Sequence, residues 1–283
     1  MNEQQSTIIK YQQCGRAFLD AAVPLLKSQR AAAPVDLHEP VADEVVGGLF
    51  ARIFRFLQSF LLDYHLWADD LGCVVRRMML ESLFYMRFLI KHNQAEMFML
   101  FQTYGIGQEK LYKLQLRKLL EEGQIEETES LRDYIDSDSD EEIADELLKI
   151  SLKNFENLRT VATDADMKKD YVLYYQPYST FIHGHWPSLR LFYLEQCQET
   201  LHRSHLQPSF SLPGLDPTQI NHAFGMFQEA YAVWIERYKL EDVITPLIEK
   251  YFAACLASDQ PEPSGSTAEA TVRAQSDVTK GTE

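Results

Sequence analysis

Apolar residues recur at intervals of three and four along nearly the whole chain, the period of an α-helix face. Ile220, Phe224, Phe227, Tyr231, Trp234 and Tyr238 form one such stripe; Asp216 caps its start and Pro217 occupies the first turn. Pro246 then imposes a kink or a new helix within KLEDVITPLIEKYF. Upstream, Thr7–Gln29 predicts an amphipathic first helix. From Val45 to Tyr64 the apolar positions occupy more than one face, so this helix is expected at the centre. A third runs from Asp69 to His92, with the Asp69–Asp70 pair at its positive end. Shorter helices are expected over Ala95–Tyr104, Gln108–Glu122, Asp140–Arg159, Asp170–Ile182 and Ser188–Thr200. Residues 160–169 read as a loop and 201–215 as a Pro-rich connector. With only 12 Gly and 11 Pro, a barrel or sandwich is disfavoured. The expected class is all-α: a multi-helix bundle over 45–257, preceded by a helix and connector (1–44) and followed by a disordered tail (258–283).

Charge is unevenly placed. Residues 121–146 hold 13 of the 42 acids and one of the 27 bases, so the rest carries 29 against 26. That acidic insert reads as a solvated, partly disordered loop. Residues 48–119 carry ten Lys/Arg and six Asp/Glu, which leaves a polyanionic ligand open there, although bulk charge gives it no support. Cys14, Cys73, Cys197 and Cys255 form no CxxC pair, and the N-terminus is polar, so reduced thiols and a cytoplasmic location are expected. The most apolar stretch, Leu49–Leu62, is short and contains Arg52 and Arg55, so no membrane span is expected.

Two constellations carry candidate chemistry. Arg77 and Glu81 are helical neighbours on a face continued by Phe84 and Phe88, where charges need partners. Arg76 and Arg87, eleven apart, form a second ridge expected to snorkel to solvent. The second constellation is DYVLYYQPYSTFIHGHWPSLR, residues 170–190, with four tyrosines, two histidines and a tryptophan. Ser179 and His183 are four apart, and Gly184 lets the chain turn after His183. Such polar-aromatic density marks either a hydrogen-bonded network or a pocket. No HExxH or Cys–His partner accompanies the HGH pair, and no GxSxG elbow accompanies Ser179. Metal-independent RNA cleavage remains, with histidine moving protons and arginine neutralising phosphate. No cofactor or metal is expected. RNA, a protein partner and a homodimer all stay open as partners.

Arg87 followed by His92 resembles the arginine–histidine motif of ribonuclease-type HEPN proteins, which implies an RNA-cleaving effector of defence or toxin type. Arg77, Glu81 and Tyr104, then Tyr175, Ser179, His183 and Gly184, resemble a bacterial family of unknown function numbered 5677. That resemblance spans about residues 45–250 and implies a helical fold with its site at Arg77, Glu81, Tyr175, Ser179 and His183. The acidic insert and HGHWP are departures from it. The alternative is a non-catalytic interaction or regulatory bundle, whose polar cluster fixes helix register.

Overall fold

A computed structural model describes residues 3–34, 37, 40–137, 145–199, 205–211 and 213–257. The expected disordered tail and the centre of the acidic insert (138–144) lie outside them, as does most of 200–204. The chain folds as an all-α bundle. Its frame is α1 (Glu3–Ala32), α2 (Val41–Leu62), α3 (Asp69–His92) and α4 (Ala95–Glu121). Four short helices follow: α5 (Glu129–Asp136), α6 (Asp145–Phe155), α7 (Leu158–Asp164) and α8 (Lys168–Asp170). A π-helical turn, Tyr171–Tyr175, joins α8 to α9 (Gln176–Ile182) without a break. The chain continues through α10 (Trp186–Ser188) and a second π turn, Leu189–Tyr193. Strand β1 (Leu194–Gln196) pairs antiparallel with β2 (Leu206–Pro208), Glu195 opposite Gln207. The last helices are α11 (Gln219–Tyr238) and α12 (Thr245–Leu256), the latter with Pro246 in its first turn.

Helix α2 buries one broad face rather than its whole circumference. Val46, Leu49, Phe50, Ile53, Leu57, Phe60 and Leu61 are buried, and α2 packs against α1, α3, α4 and α11. By length and composition it could cross a membrane, with a mean hydropathy of 1.5, longer than the stretch Leu49–Leu62 suggested. Here the seven buried residues of that face are core, about a third of the helix. The α2–α3 corner is tight: a Cβ on Gly72 would stand 2.4 Å from the Leu66 carbonyl oxygen. Trp67 fills the corner and donates its indole N–H to the Phe60 carbonyl at 2.8 Å. Helix α3 begins with Asp69 and Asp70 in its first turn and ends on Asn93 in the left-handed region (φ 46°), matching the dipole and the C-terminal turn.

Several sequence expectations change. Ala95–Glu121 is one helix, continuous through Gly105 and Gly107. Residues 160–169, read as a loop, contain most of α7 and the start of α8. Within Ser188–Thr200, read as helix, Leu189–Tyr193 is a π turn and Leu194–Gln196 a hairpin strand. The acidic insert is partly packed, not simply solvated. Within α5, Ile135 is buried, and Lys113 of α4, itself buried, donates to the Ser137 carbonyl at 2.8 Å. Arg117 stands 3.6 Å from Asp136. Ile135 and the Lys113 contact thus dock α5 on α4, with the exposed Arg117–Asp136 pair adding little.

Candidate functional site

Helices α3 and α9 cross with their arginines and tyrosines face to face. Arg77 Nη2 donates to Tyr175 Oη at 2.8 Å, and its guanidinium lies 5.0 Å from the centre of the same ring. One position back, the Arg76 guanidinium lies 4.9 Å from the Tyr178 ring centre. Both tyrosines are buried, and burial, followed by Glu81, holds the Tyr175 hydroxyl above its ordinary pKa. Burial comes first and Glu81 second for Tyr85 too, whose hydroxyl reaches the Phe155 carbonyl at 3.4 Å. Tyr104 is raised by burial, then by Glu156 and Glu81. Glu81 thus adds its negative charge to burial in raising all three tyrosine hydroxyls.

His183 stands apart. Helix α9 ends at Ile182, His183 forms its C-terminal cap, and Gly184 takes the left-handed turn (φ 60°). The His183 side chain is exposed, its ring 5.8 Å from that of His185. Ser179 is half-buried, and no side-chain hydrogen bond joins it to His183 among the described residues. The physical reason is helical phase. Tyr175 and His183 are eight residues apart, and at about 100° per residue their side chains diverge by about 80°. Of the five candidate residues, the fold brings Arg77, Glu81 and Tyr175 together, keeps Ser179 on the same short helix, and turns His183 to solvent.

Arg76 corrects the second expectation. It does not snorkel: its residue surface is 3% exposed, its Nη2 stands 3.8 Å from Asp69, and its Nε has no hydrogen-bond partner among the described residues. Arg87 ion-pairs with Glu229 of α11, and His92 Nε2 lies 2.9 Å from Asp164 Oδ2. Arg87 and His92 are thus engaged with different partners.

Beside this crossing lies a cavity of about 190 Å³ between α3, the π turn and α11. Leu80 and Leu83 line it with Asp170, Tyr174, Asn221, His222 and Glu229. π turns favour functional sites because the extra residue redirects side chains. This one turns Tyr174 toward His222, their rings 6.2 Å apart, while Tyr175 points at Arg77. Partial burial and then Arg76 hold His222 below its ordinary pKa. Sequence reading missed Asn221, His222 and Glu229. The available sign was a polar stripe, 221–222–225–229, bordering the apolar face of α11 around Gly225. Among the described residues no group of three His, Cys, Asp or Glu side chains could hold a metal ion.

No curated protein and no solved structure matches the chain. A family of unknown function (DUF5677) does match, over residues 43–200, which take in α2, α3, the π turn and α9. With more than half of its length matched, the chain belongs to that family.

Proposed function

We propose that the protein works as a non-catalytic interaction or regulatory bundle, in which the arginine–tyrosine network fixes how α9 lies on α3. One observation carries this reading: Arg77 is committed to Tyr175 while His183 faces solvent. The arginine of the crossing and the exposed histidine therefore share no common space. The polar cavity points the same way. It presents Asp170, Glu229 and His222, and two carboxylates repel a phosphate backbone. The segment leading into the hairpin, and its far end, expose Trp186 (61%), Leu191 (64%) and Phe210 (95%), apolar surface suited to a protein partner.

A second reading, metal-independent RNA cleavage, is favoured by the adjacent exposed imidazoles of His183 and His185 beside Trp186 and Arg190. Two histidines so placed could act as acid and base, with a base stacked on the indole. The deciding experiment is expression toxicity, with cleavage of labelled single-stranded RNA, for wild type, His183→Ala and His185→Ala. Under our proposal all three behave alike. Cleavage lost in either variant at unchanged melting temperature would replace the proposal with the second reading.

A further inference from the structure

A separate cavity of about 690 Å³ opens between α1, α2 and the end of α11, within the size range of small-molecule sites. Its floor is aromatic. Phe50 and Trp234 stack at 4.8 Å with their planes 6° apart, and Phe54 continues that surface. Helix α2 presents Gly47 to the space, where an added Cβ would meet nothing within 4 Å. The backbone itself forms that wall, and the volume stays open for lack of a side chain.

The charges of the walls are not equivalent. On α2, Asp43 is engaged by Tyr238 Oη at 2.7 Å and by Arg237 Nη2 at 3.7 Å. On α1, Lys27 and Arg30 lie one turn apart at the cavity edge, exposed, with no ion pair among the described residues. Glu44, exposed in the first turn of α2, marks the edge that an anion avoids. An apolar, aromatic-floored volume with two uncommitted cations on one wall is complementary to an amphipathic anion.

We propose that this cavity binds a long-chain carboxylate, its hydrocarbon against Phe50 and Trp234 and its head on Lys27 and Arg30. The assignment is independent of the role given to the α3–α9 crossing.

The test uses the full chain and dodecanoate, followed by calorimetry, with brominated dodecanoate as a quencher of Trp234 fluorescence. Expected is saturable binding with quenching, weakened about ten-fold or more for dodecanol and for the Lys27→Gln/Arg30→Gln variant. Gly47→Phe fills the cavity and should abolish binding at an unchanged or higher melting temperature, since Gly is the poorer helix former. Should that variant fail to fold, Ala51→Leu, on the same wall, is read the same way. Dodecanol binding as tightly as dodecanoate would overturn the proposal. So would wild-type binding that neither filling variant alters, or no saturable binding at all. Dimerisation abolished by Gly47→Phe, without dodecanoate binding, would overturn it too and give the groove to a second copy.

Discussion

Tyr175→Phe removes one oxygen atom and tests whether the α3–α9 crossing is held by its polar network. The ring stays, and with it the guanidinium–ring contact at 5.0 Å; the loss is the acceptor that Arg77 Nη2 reaches at 2.8 Å. Arg77 Nε already lacks a partner among the described residues, so the change strands a second donor of the same buried edge. Hydrogen bonds to charged groups contribute about 1.5–3 kcal/mol. Arg77 is half-buried and partly reached by water, which places the cost at the lower end, about 1.5–2 kcal/mol. For a chain of this size that corresponds to a melting-temperature loss of about 3–8 °C. Arg77→Met keeps the stem, removes the charge and strands the Tyr175 hydroxyl, for a similar cost of about 2 kcal/mol. Because each substitution breaks the same bond, the double variant should cost about 1–1.5 kcal/mol less than the two singles summed. Urea unfolding of the four proteins measures the cycle. A neutral Tyr175→Phe, or strictly additive costs, would refute the claim that this bond fixes α9 on α3.

The same geometry makes other outcomes explicit. His183→Ala should change stability by no more than about 0.5 kcal/mol, as an exposed substitution does, in contrast to Tyr175→Phe; calorimetric melting compares them. Ile135→Ala should cost about 2 kcal/mol locally and strip residues 129–136 of amide-exchange protection, because Ile135 is the buried side chain of α5; unchanged protection would show that ion pairs alone hold the helix. Tyr238, raised to about 12 by burial and the Asp43 contact, favours the folded state below its unfolded value near 10, and that stability drains as pH rises from about 10 to 12. Melting curves across that window should fall more steeply for wild type than for Tyr238→Phe; parallel curves would remove Tyr238 as the cause.

The bundle was legible because its evidence is periodic. The α11 stripe and the Asp69–Asp70 start of α3 each state their structure locally, and burial agrees: Ile220, Phe224 and Phe227 are fully enclosed, as are Ile53, Leu57 and Phe60 on the single buried face of α2. The Arg77–Tyr175 meeting was legible for another reason, since charges on an apolar face need partners and the tyrosine-rich segment is the densest supply. What failed were inferences that carried helical spacing too far. Arg76 was assigned to solvent because it lies off the Phe84–Phe88 face. Yet helix α3 is covered on several sides by α2, α7, α9 and α11, so no ridge near its middle is free.

Steps of four from Tyr175 through Ser179 to His183 drift by about 40° each, so regular helix already turns the histidine away from the tyrosine. The π turn acts on the other side, ahead of that line, where Tyr171–Tyr175 takes in an extra residue. Tyr171 comes to stack on Tyr175 at 5.1 Å, and Tyr174 is turned across to His222. Such an expansion leaves one backbone step out of the regular ladder, and it persists only where tertiary contacts over-determine it. Here the Arg77–Tyr175 bond and the Arg76–Tyr178 contact hold the helix below the bulge, while Met167 is buried in the core above it. Asp170 and Tyr174, at the bulge, stand on the wall of the cavity that His222 also lines, one turn from the Arg77–Tyr175 bond. A substitution that loosens the crossing should thus be felt at His222. In Arg77→Met, relaxation of the turn toward regular α-helix would withdraw Tyr174 from the His222 ring, and the imidazole should titrate closer to its ordinary value of about 6.5. Proton NMR of the histidine ring signals across pH 4–8 reads that shift directly. An unchanged His222 titration in a variant whose α9 has demonstrably loosened would show that crossing and cavity are independent.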